Sequence, residues 1–229
     1  MREAIVLAGG FGTRLRQVVS DVPKPMAPVG GRPFLTILLD ALARKNFDRV
    51  VLSLGFMADN ISRHFGNRYK ELDLIYVVEH APLGTGGAVR KAMTQCREDH
   101  VFVFNGDTYL DLEVEAAERH WQSRHNPIII GIESPDASRY GRLFTHKGRV
   151  TGFSEKGFSG PGLINAGCYV LNHGQLDSFP VDTTFSLETD YLAQVVGAMP
   201  VDVFVTQGYF IDIGIPEDFE RAQIELAGW

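Results

Sequence analysis

An α/β fold with a Rossmann-like, mostly parallel central sheet flanked by helices is the class this sequence predicts, and three observations predict it. Short apolar runs at Ile5 to Ala8, Arg49 to Leu54, Leu72 to Val78 and Val101 to Phe104 alternate with stretches of helical spacing. Such alternation implies parallel pairing in βαβ units. The first and third runs open into glycine-rich loops, Gly9-Gly10-Phe11-Gly12 and Gly84-Thr85-Gly86-Gly87, and in open α/β sheets ligands lie beyond the carboxyl ends of strands. The fourth run is apolar throughout, as a central parallel strand covered on both faces must be.

The first loop carries the most chemistry. Glycines at 9, 10 and 12 remove Cβ atoms that would hold backbone amides away from an anion, and amides freed at such a turn bind phosphate oxygens. Arg14 adds a guanidinium fork suited to bidentate phosphate contact, and Lys24, between Pro23 and Pro25, adds a point charge on a stiffened segment. Two better-known glycine loops do not fit. The dinucleotide fingerprint needs a third glycine where Leu15 stands, and the Gly-x-x-x-x-Gly-Lys-Ser/Thr loop occurs nowhere.

Further along, Val29-Gly30-Gly31-Arg32 is a turn, and Pro33 stands where a helix should begin, with Phe34, Leu35 and Ile37 to Leu39 continuing at helical spacing to about Lys45. A strand over Arg49 to Leu54, a short helix over Ala58 to Phe65 and a strand over Leu72 to Val78 follow. That strand ends at Glu79, and His80-Ala81-Pro82-Leu83-Gly84-Thr85 leads into a helix reaching about Cys96. The second glycine loop either faces the same cleft as the first or serves close packing at a helix entry.

Val101 to Phe104 ends in Asn105-Gly106-Asp107, where the carboxylate is a Mg²⁺ ligand candidate or a turn residue. A polar helix over Glu113 to Arg124 precedes the strand Ile128 to Ile130. Beyond it the alternation loosens: a hairpin over Arg142 to Phe153 with Lys147-Gly148 at its tip, and a strand over Ile164 to Leu171. The second half therefore adds a mixed lobe. Leu187 to Gly197 reads as helix, Val201 to Val205 as strand, and Tyr209-Phe210-Ile211-Asp212 precedes a helix starting near Pro216.

At 229 residues, 45% hydrophobic and 22% charged, the chain can bury a full core and reads as one domain, with halves of about 1–112 and 113–229. A net charge of −6 gives no electrostatic reason to expect nucleic acid or an anionic membrane. Two cysteines, Cys96 and Cys168, are too few for a disulfide scaffold and favour a reducing compartment. No stretch approaches the roughly 18 apolar residues of a membrane span, so the expected location is the cytoplasm.

L-A-G-G-F-G-T-R-L followed by V-P-K-P-M resembles the signature of the sugar-1-phosphate nucleotidyltransferases, which join an NTP to a sugar phosphate and release pyrophosphate. The resemblance runs from Ile5 to about Phe219 and implies a glycosyltransferase-A-like fold with a sugar-binding lobe. It implies a nucleotide site of Leu7, Ala8, Gly9, Gly10, Gly12, Thr13, Arg14, Lys24, Glu79, Pro82, Gly84 and Thr85. Asn105, Tyr140, Gly141, Glu155, Lys156, Asn165 and Gly167 match the family's sugar-side motifs, and Asp107 and Asp212 its two metal-binding aspartates, with Mg²⁺ as cofactor. Arg14, Lys24, Asp107 and Lys156 are the catalytic set this implies. Taken singly, Glu155 and Lys156 read as solvated surface charges.

Within the family, S-D-V-P-K-P-M-A-P-V, G-L-I-N-A-G, F-S-L-E and F-I-D-I-G-I-P-E-D most resemble the heptose 1-phosphate guanylyltransferases, which use GTP and supply GDP-heptose for bacterial surface polysaccharide. A uridylyltransferase acting on another sugar phosphate is the alternative within the class, and a non-catalytic nucleotide-sugar sensor the alternative outside it. Glu79 bears on the base: a carboxylate only accepts, matching the two adjacent donors of guanine, whereas relatives that use uracil or thymine carry a glutamine there. Its other reading is a cap on the following loop.

Overall fold

The computed structural model describes residues 1–10, 22–154 and 159–229. The described elements of the first half are β1 (Glu3–Leu7), a 3₁₀ turn at Lys24–Met26, β2 (Pro28–Val29), β3 (Arg32–Pro33), α1 (Phe34–Arg44), β4 (Arg49–Leu54), α2 (Ala58–Phe65), β5 (Arg68–Tyr69), β6 (Leu72–Val78), α3 (Gly84–Met93), β7 (His100–Asn105), β8 (Thr108–Leu110) and α4 (Val114–Arg124). The second half carries β9 (Ile128–Ser134), β10 (Arg142–His146), β11 (Arg149–Ser154), β12 (Gly162–Asn172), a π-helical segment Leu187–Leu192 running into α5 (Ala193–Val195), β13 (Asp202–Thr206), β14 (Phe210–Asp212) and α6 (Pro216–Glu225).

Local chemistry explains where the helices begin and end. Pro33, at φ −53°, caps α1 without needing an N–H, and Gly66, at φ +65°, closes α2 in a conformation that glycine tolerates. α6 opens on Pro216 with Glu217 and Asp218 in its first turn, where carboxylates meet the positive end of the helix dipole.

Ten of the described strands form a single sheet in the order β10-β11-β13-β9-β12-β7-β1-β4-β6-β5. β7, β1, β4 and β6 run parallel, as their alternation with helices implies. The mixed lobe expected of the second half continues that same sheet: β12 enters antiparallel between β7 and β9. The cause is burial on both faces. Cys168 and Val170 face one core and Tyr169 and Leu171 the other, so β12 reads as a central strand, and hydrophobic periodicity carries no strand direction. No helix among the described residues is long and apolar enough to cross a membrane.

Both faces are covered. Ala4, Val6, Leu52 and Phe102 pack with α1, α2, α4 and α6, while Ile5, Val51, Val103 and Tyr169 pack with α3 and the π-helical segment. This places the carboxyl ends of β1, β4, β6 and β7 along one rim, with the two glycine loops above it.

The glycines of α3 explain how the rim closes. A Cβ on Gly86 would lie 2.9 Å from the far end of the Phe185 ring, and one on Gly87 would meet the Thr183 carbonyl and lie 2.8 Å from Leu83 Cβ. Two main-chain hydrogen bonds fix the contact, Gly86 N–H to the Phe185 carbonyl and Phe185 N–H to the Leu83 carbonyl, each at 3.0 Å. Gly87→Ala is therefore expected to destabilise by about 1–3 kcal/mol, the cost of overpacking a filled contact. A thermal melt checks this, and an unchanged Tm would mean that residues 183–185 yield freely.

Candidate active site

A cleft of about 310 Å³ opens beyond β1, β6 and β7, lined by Leu7, Ala8, Gly9, Gly10, Lys24, Glu79, Pro82, Gly84, Thr85, Asn105 and Asp107 among others. The sequence-predicted nucleotide residues that the structure describes all line it. Gly12, Thr13 and Arg14, and on the sugar side Glu155 and Lys156, lie outside the described residues.

The two leading glycines act differently. A Cβ on Gly9 would stand 2.9 Å from Glu79 Oε1 and 3.1 Å from the Gly55 amide nitrogen, so the first loop packs on β4 and β6 only because that position is bare. Gly10 has nothing within 4 Å of where its Cβ would be, leaving backbone open to the cleft.

Glu79 is already engaged. Its Oε1 accepts from the Ser53 hydroxyl at 3.0 Å and its Oε2 from the Leu83 amide at 3.0 Å, so it braces the second loop from the cleft wall. A carboxylate has about four lone-pair sites, so base donors can still approach it. Thr85 is turned toward the protein: its hydroxyl donates to Glu188 Oε2 at 2.6 Å and accepts from the Leu187 amide at 2.9 Å. Gly84, at φ +70°, has its missing Cβ 2.5 Å from the Phe185 carbonyl oxygen, so it serves packing as well as the cleft.

Asp107 and Asp212, far apart in sequence, meet through the two-stranded ladder β8–β14. Thr108 pairs with Asp212, and the Ile213 amide donates to the Asp107 carbonyl at 2.9 Å. Lys24 Nζ donates to Asp107 Oδ2 at 2.5 Å from a side chain only 10% exposed. Asp212 Oδ1 accepts from the Gly214 amide at 2.7 Å. Burial first, and the Asp107 carboxylate second, hold the Asp212 carboxyl above its ordinary range, while Lys24 and the Gly214 amide pull the other way. Among the described residues no group of three or more His, Cys, Asp or Glu is placed to hold a metal ion. Two carboxylates in mutual repulsion, one of them paired with the Lys24 ammonium, fit a divalent cation whose remaining ligands are substrate oxygens.

On the other side of Asp212 lies a second cavity of about 620 Å³, lined by Tyr140, Asp212, Arg139, Asp218, Phe210 and Glu133 among others. The Tyr140 hydroxyl accepts from Arg139 at 2.9 Å, its ring meets Phe210 edge-on at 5.6 Å, and burial pushes its phenol up. The Gly141 carbonyl accepts from the Asn165 amide at 2.9 Å. β12 shifts register between Asn165 and Tyr169, and in that bulge Gly167, at φ +67°, lies so close to Asn105 that a Cβ would be 2.5 Å from its Nδ2. Tyr140 thus shares the second cavity with Asp212, and Asn105 shares the first with Asp107, with Gly167 packed behind it.

Sequence reasoning missed Arg139 and Asp218. Buried Asp218 holds Arg139 at 2.5 Å and Arg221 at 2.8 Å, ordering the wall of the second cavity. Asp218 stood in the quoted motif ending P-E-D, but its first-turn position reads as helix-dipole chemistry, and only the fold shows its partner.

The model of the Nucleotidyl transferase family matches residues 3–227. The chain is 40% identical over 225 residues to the D-glycero-alpha-D-manno-heptose 1-phosphate guanylyltransferase of Aneurinibacillus thermoaerophilus, covering 98% of each protein. It is 32% identical over 219 residues to the protein of the same name from Campylobacter jejuni, covering 95% and 96%. The crystal structure of HddC from Yersinia pseudotuberculosis complexed with GMP-PN superposes with a TM-score of 0.87 at 37% identity, covering 99% of this chain and 100% of that one. A family model that matches residues 3–227, with relatives 40% and 32% identical over nearly the whole sequence, makes this chain a member of the nucleotidyl transferase family.

Proposed function

We propose that this protein transfers the guanylyl group of GTP to D-glycero-α-D-manno-heptose 1-phosphate, giving GDP-heptose and pyrophosphate for bacterial surface polysaccharide. The observation that carries the reading is a carboxylate pair, Asp107 on one cavity beside Lys24 and Asp212 on a second, close enough for Asp107 to raise the Asp212 carboxyl, in a chain alike over nearly its full length to two proteins of that name.

An oxygen of the sugar phosphate attacks the α-phosphorus of GTP, a new P–O bond forms, and the bond to the β-phosphate bridging oxygen breaks as pyrophosphate leaves. The nucleophile is already an anion at neutral pH, so the protein's task is positioning and charge stabilisation. Bare backbone at Gly9 and Gly10 receives phosphate oxygens, and the family resemblance gives the same task to Gly12, Thr13 and Arg14. Lys24 and Arg14 meet charge developing on the transferring and leaving phosphates, and Lys156 orients the attacking one. Asp107 and Asp212 would hold a divalent cation, Mg²⁺ in this reading, which supplies charge neutralisation at the transferring phosphate. Asn105, Tyr140, Gly141, Glu155, Asn165 and Gly167 present donors and acceptors to sugar hydroxyls. Pyrophosphate release from a panel of four NTPs against several sugar 1-phosphates tests the reading, and turnover confined to UTP would overturn it.

Glu79 is read here as both loop brace and base selector. Glu79→Gln keeps the shape but sets an amide N–H₂ against the Ser53 hydroxyl or the Leu83 amide, and replaces an acceptor facing guanine N1–H and N2–H₂ with a mixed group. The expected result is a fall in the GTP over UTP preference of roughly 1 to 3 kcal/mol, the scale of a hydrogen bond to a charged group. The ratio of kcat/KM for the two nucleotides measures it, and a fall in both with the ratio unchanged would leave Glu79 only as a brace.

A further inference from the structure

A line of hydrogen bonds runs under the cleft from the nucleotide loop to the bulge on the acceptor side. Thr85 donates to Glu188 Oε2 at 2.6 Å, and the Ser186 hydroxyl donates to the same oxygen at 3.0 Å. Glu188 Oε1 accepts the Tyr169 hydroxyl at 2.8 Å, and that hydroxyl in turn accepts from Asn165 Nδ2 at 2.8 Å. Asn165 Oδ1 accepts the Gly167 amide at 3.0 Å, which fixes the bulge against Asn105 in the cleft. Tyr169 is 0% exposed, and burial, with Glu188 beside it, drives its phenol well above the ordinary value, so its proton stays in place as a donor.

We propose that Glu188 and Tyr169 are positioning residues that couple the two substrate sites, so that nucleotide bound at the second glycine loop presets the Asn165–Gly167 bulge for the sugar phosphate. The argument is geometric. Thr85 and Asn165 belong to opposite substrates, and each has its side chain committed to this line rather than to solvent. Hydrogen bonds sharing donors and acceptors in a dry interior reinforce one another, and a mismatched member disturbs the whole set. The segment that carries Glu188 also packs on α3 through Phe185, so a shift of the loop is delivered to Glu188 directly.

The inference rests on the reading of the two substrates above, and the experiment separates the two. Bind heptose 1-phosphate calorimetrically to the whole protein, alone and with a saturating GTP analogue whose α–β bridge cannot be cleaved. In the wild type the analogue is expected to tighten the sugar phosphate by at least ~5-fold, the lower end of ordinary coupling. In Glu188→Gln and in Tyr169→Phe that factor falls toward one, while affinity for the analogue alone changes by less than about 3-fold, and the double variant couples no less than the worse single one.

Phe65→Leu is the control for mere destabilisation. It loosens the edge-on contact with Tyr69, whose ring centroid lies 5.7 Å away in the core on the other face of the sheet, without touching the line or Phe185, and should lower the Tm with coupling intact. Wild type that couples by less than 2-fold, variants that keep the wild-type factor, or a control that loses it equally would each overturn the proposal. A wild type that turns over neither substrate overturns the functional reading and this inference together.

Discussion

Asp107→Asn and Asp212→Asn are each expected to lower kcat by on the order of 10²–10³-fold, the scale for one preorganised electrostatic group at a reacting phosphate. The two carboxylates lie on one ladder, β8–β14, where Asp107 raises the Asp212 carboxyl, and are expected to act as a unit. Removing both should therefore be little worse than the worse single change. Additive losses at saturating metal would mean that they do not share an ion.

The same substitution is expected to act oppositely on stability. Asp212 is held above its ordinary pKa by burial and by Asp107. A carboxyl whose folded pKa is raised contributes stability below its unfolded pKa, and that contribution is lost as pH rises through the folded value. Ionising Asp212 in the metal-free protein therefore works against folding. Asp212→Asn, which can keep the Gly214 hydrogen bond, should raise the Tm of the metal-free protein. Addition of Mg²⁺ should then stabilise the wild type more than the variant, and a metal-free Tm below wild type would contradict this balance of forces.

Lys24→Ala is the second large effect. Among the described residues Lys24 Nζ is the cation nearest Asp107, at 2.5 Å, on a segment stiffened by Pro23 and Pro25 and folded into a 3₁₀ turn. Losing it should lower kcat by about 10²-fold, since its contact strengthens as negative charge builds on the transferring phosphate. The substitution also removes the ammonium that competes for Asp107, so the Mg²⁺ concentration for half-maximal rate should fall while kcat falls. Lys24→Arg should rescue little, because a planar fork does not replace a compact, largely buried ammonium on Asp107. Initial rates across a Mg²⁺ series test both parts. A near-normal kcat would remove Lys24 from the mechanism, and a raised metal requirement would give it a role in holding the ion.

The limits of sequence reading are visible in single residues. Gly84, Gly86 and Gly87 announced a loop after β6, yet the chain alone left open whether they served a ligand or packing. The answer lies about a hundred positions downstream, in Thr183 and Phe185, which fill the space those glycines leave. Leu187 to Gly197 read as one helix, but the first turns are π-helical, a rare local form often found at functional sites. β12 read as a strand, but its bulge, where Asn165 and Gly167 approach Asn105, follows from which strand it pairs with.

What the amino-acid order determined by itself is local: β4, α2 and β6 at their observed bounds, the bare backbone at Gly9 and Gly10, the prolines around Lys24, and the acidic residue closing each glycine-loop strand or its neighbour. These depend on dihedral limits and on periodicity within about a dozen residues. Tertiary structure decided the rest: the antiparallel entry of β12, the meeting of Asp107 with Asp212 and Lys24, the bracing of Glu79 by Ser53, and the line from Thr85 to Asn165. Each joins groups whose separation along the chain says nothing of their separation in space. Only the closing of a common core, which buries β12 on both faces and brings β14 to β8, brings those groups within hydrogen-bond reach.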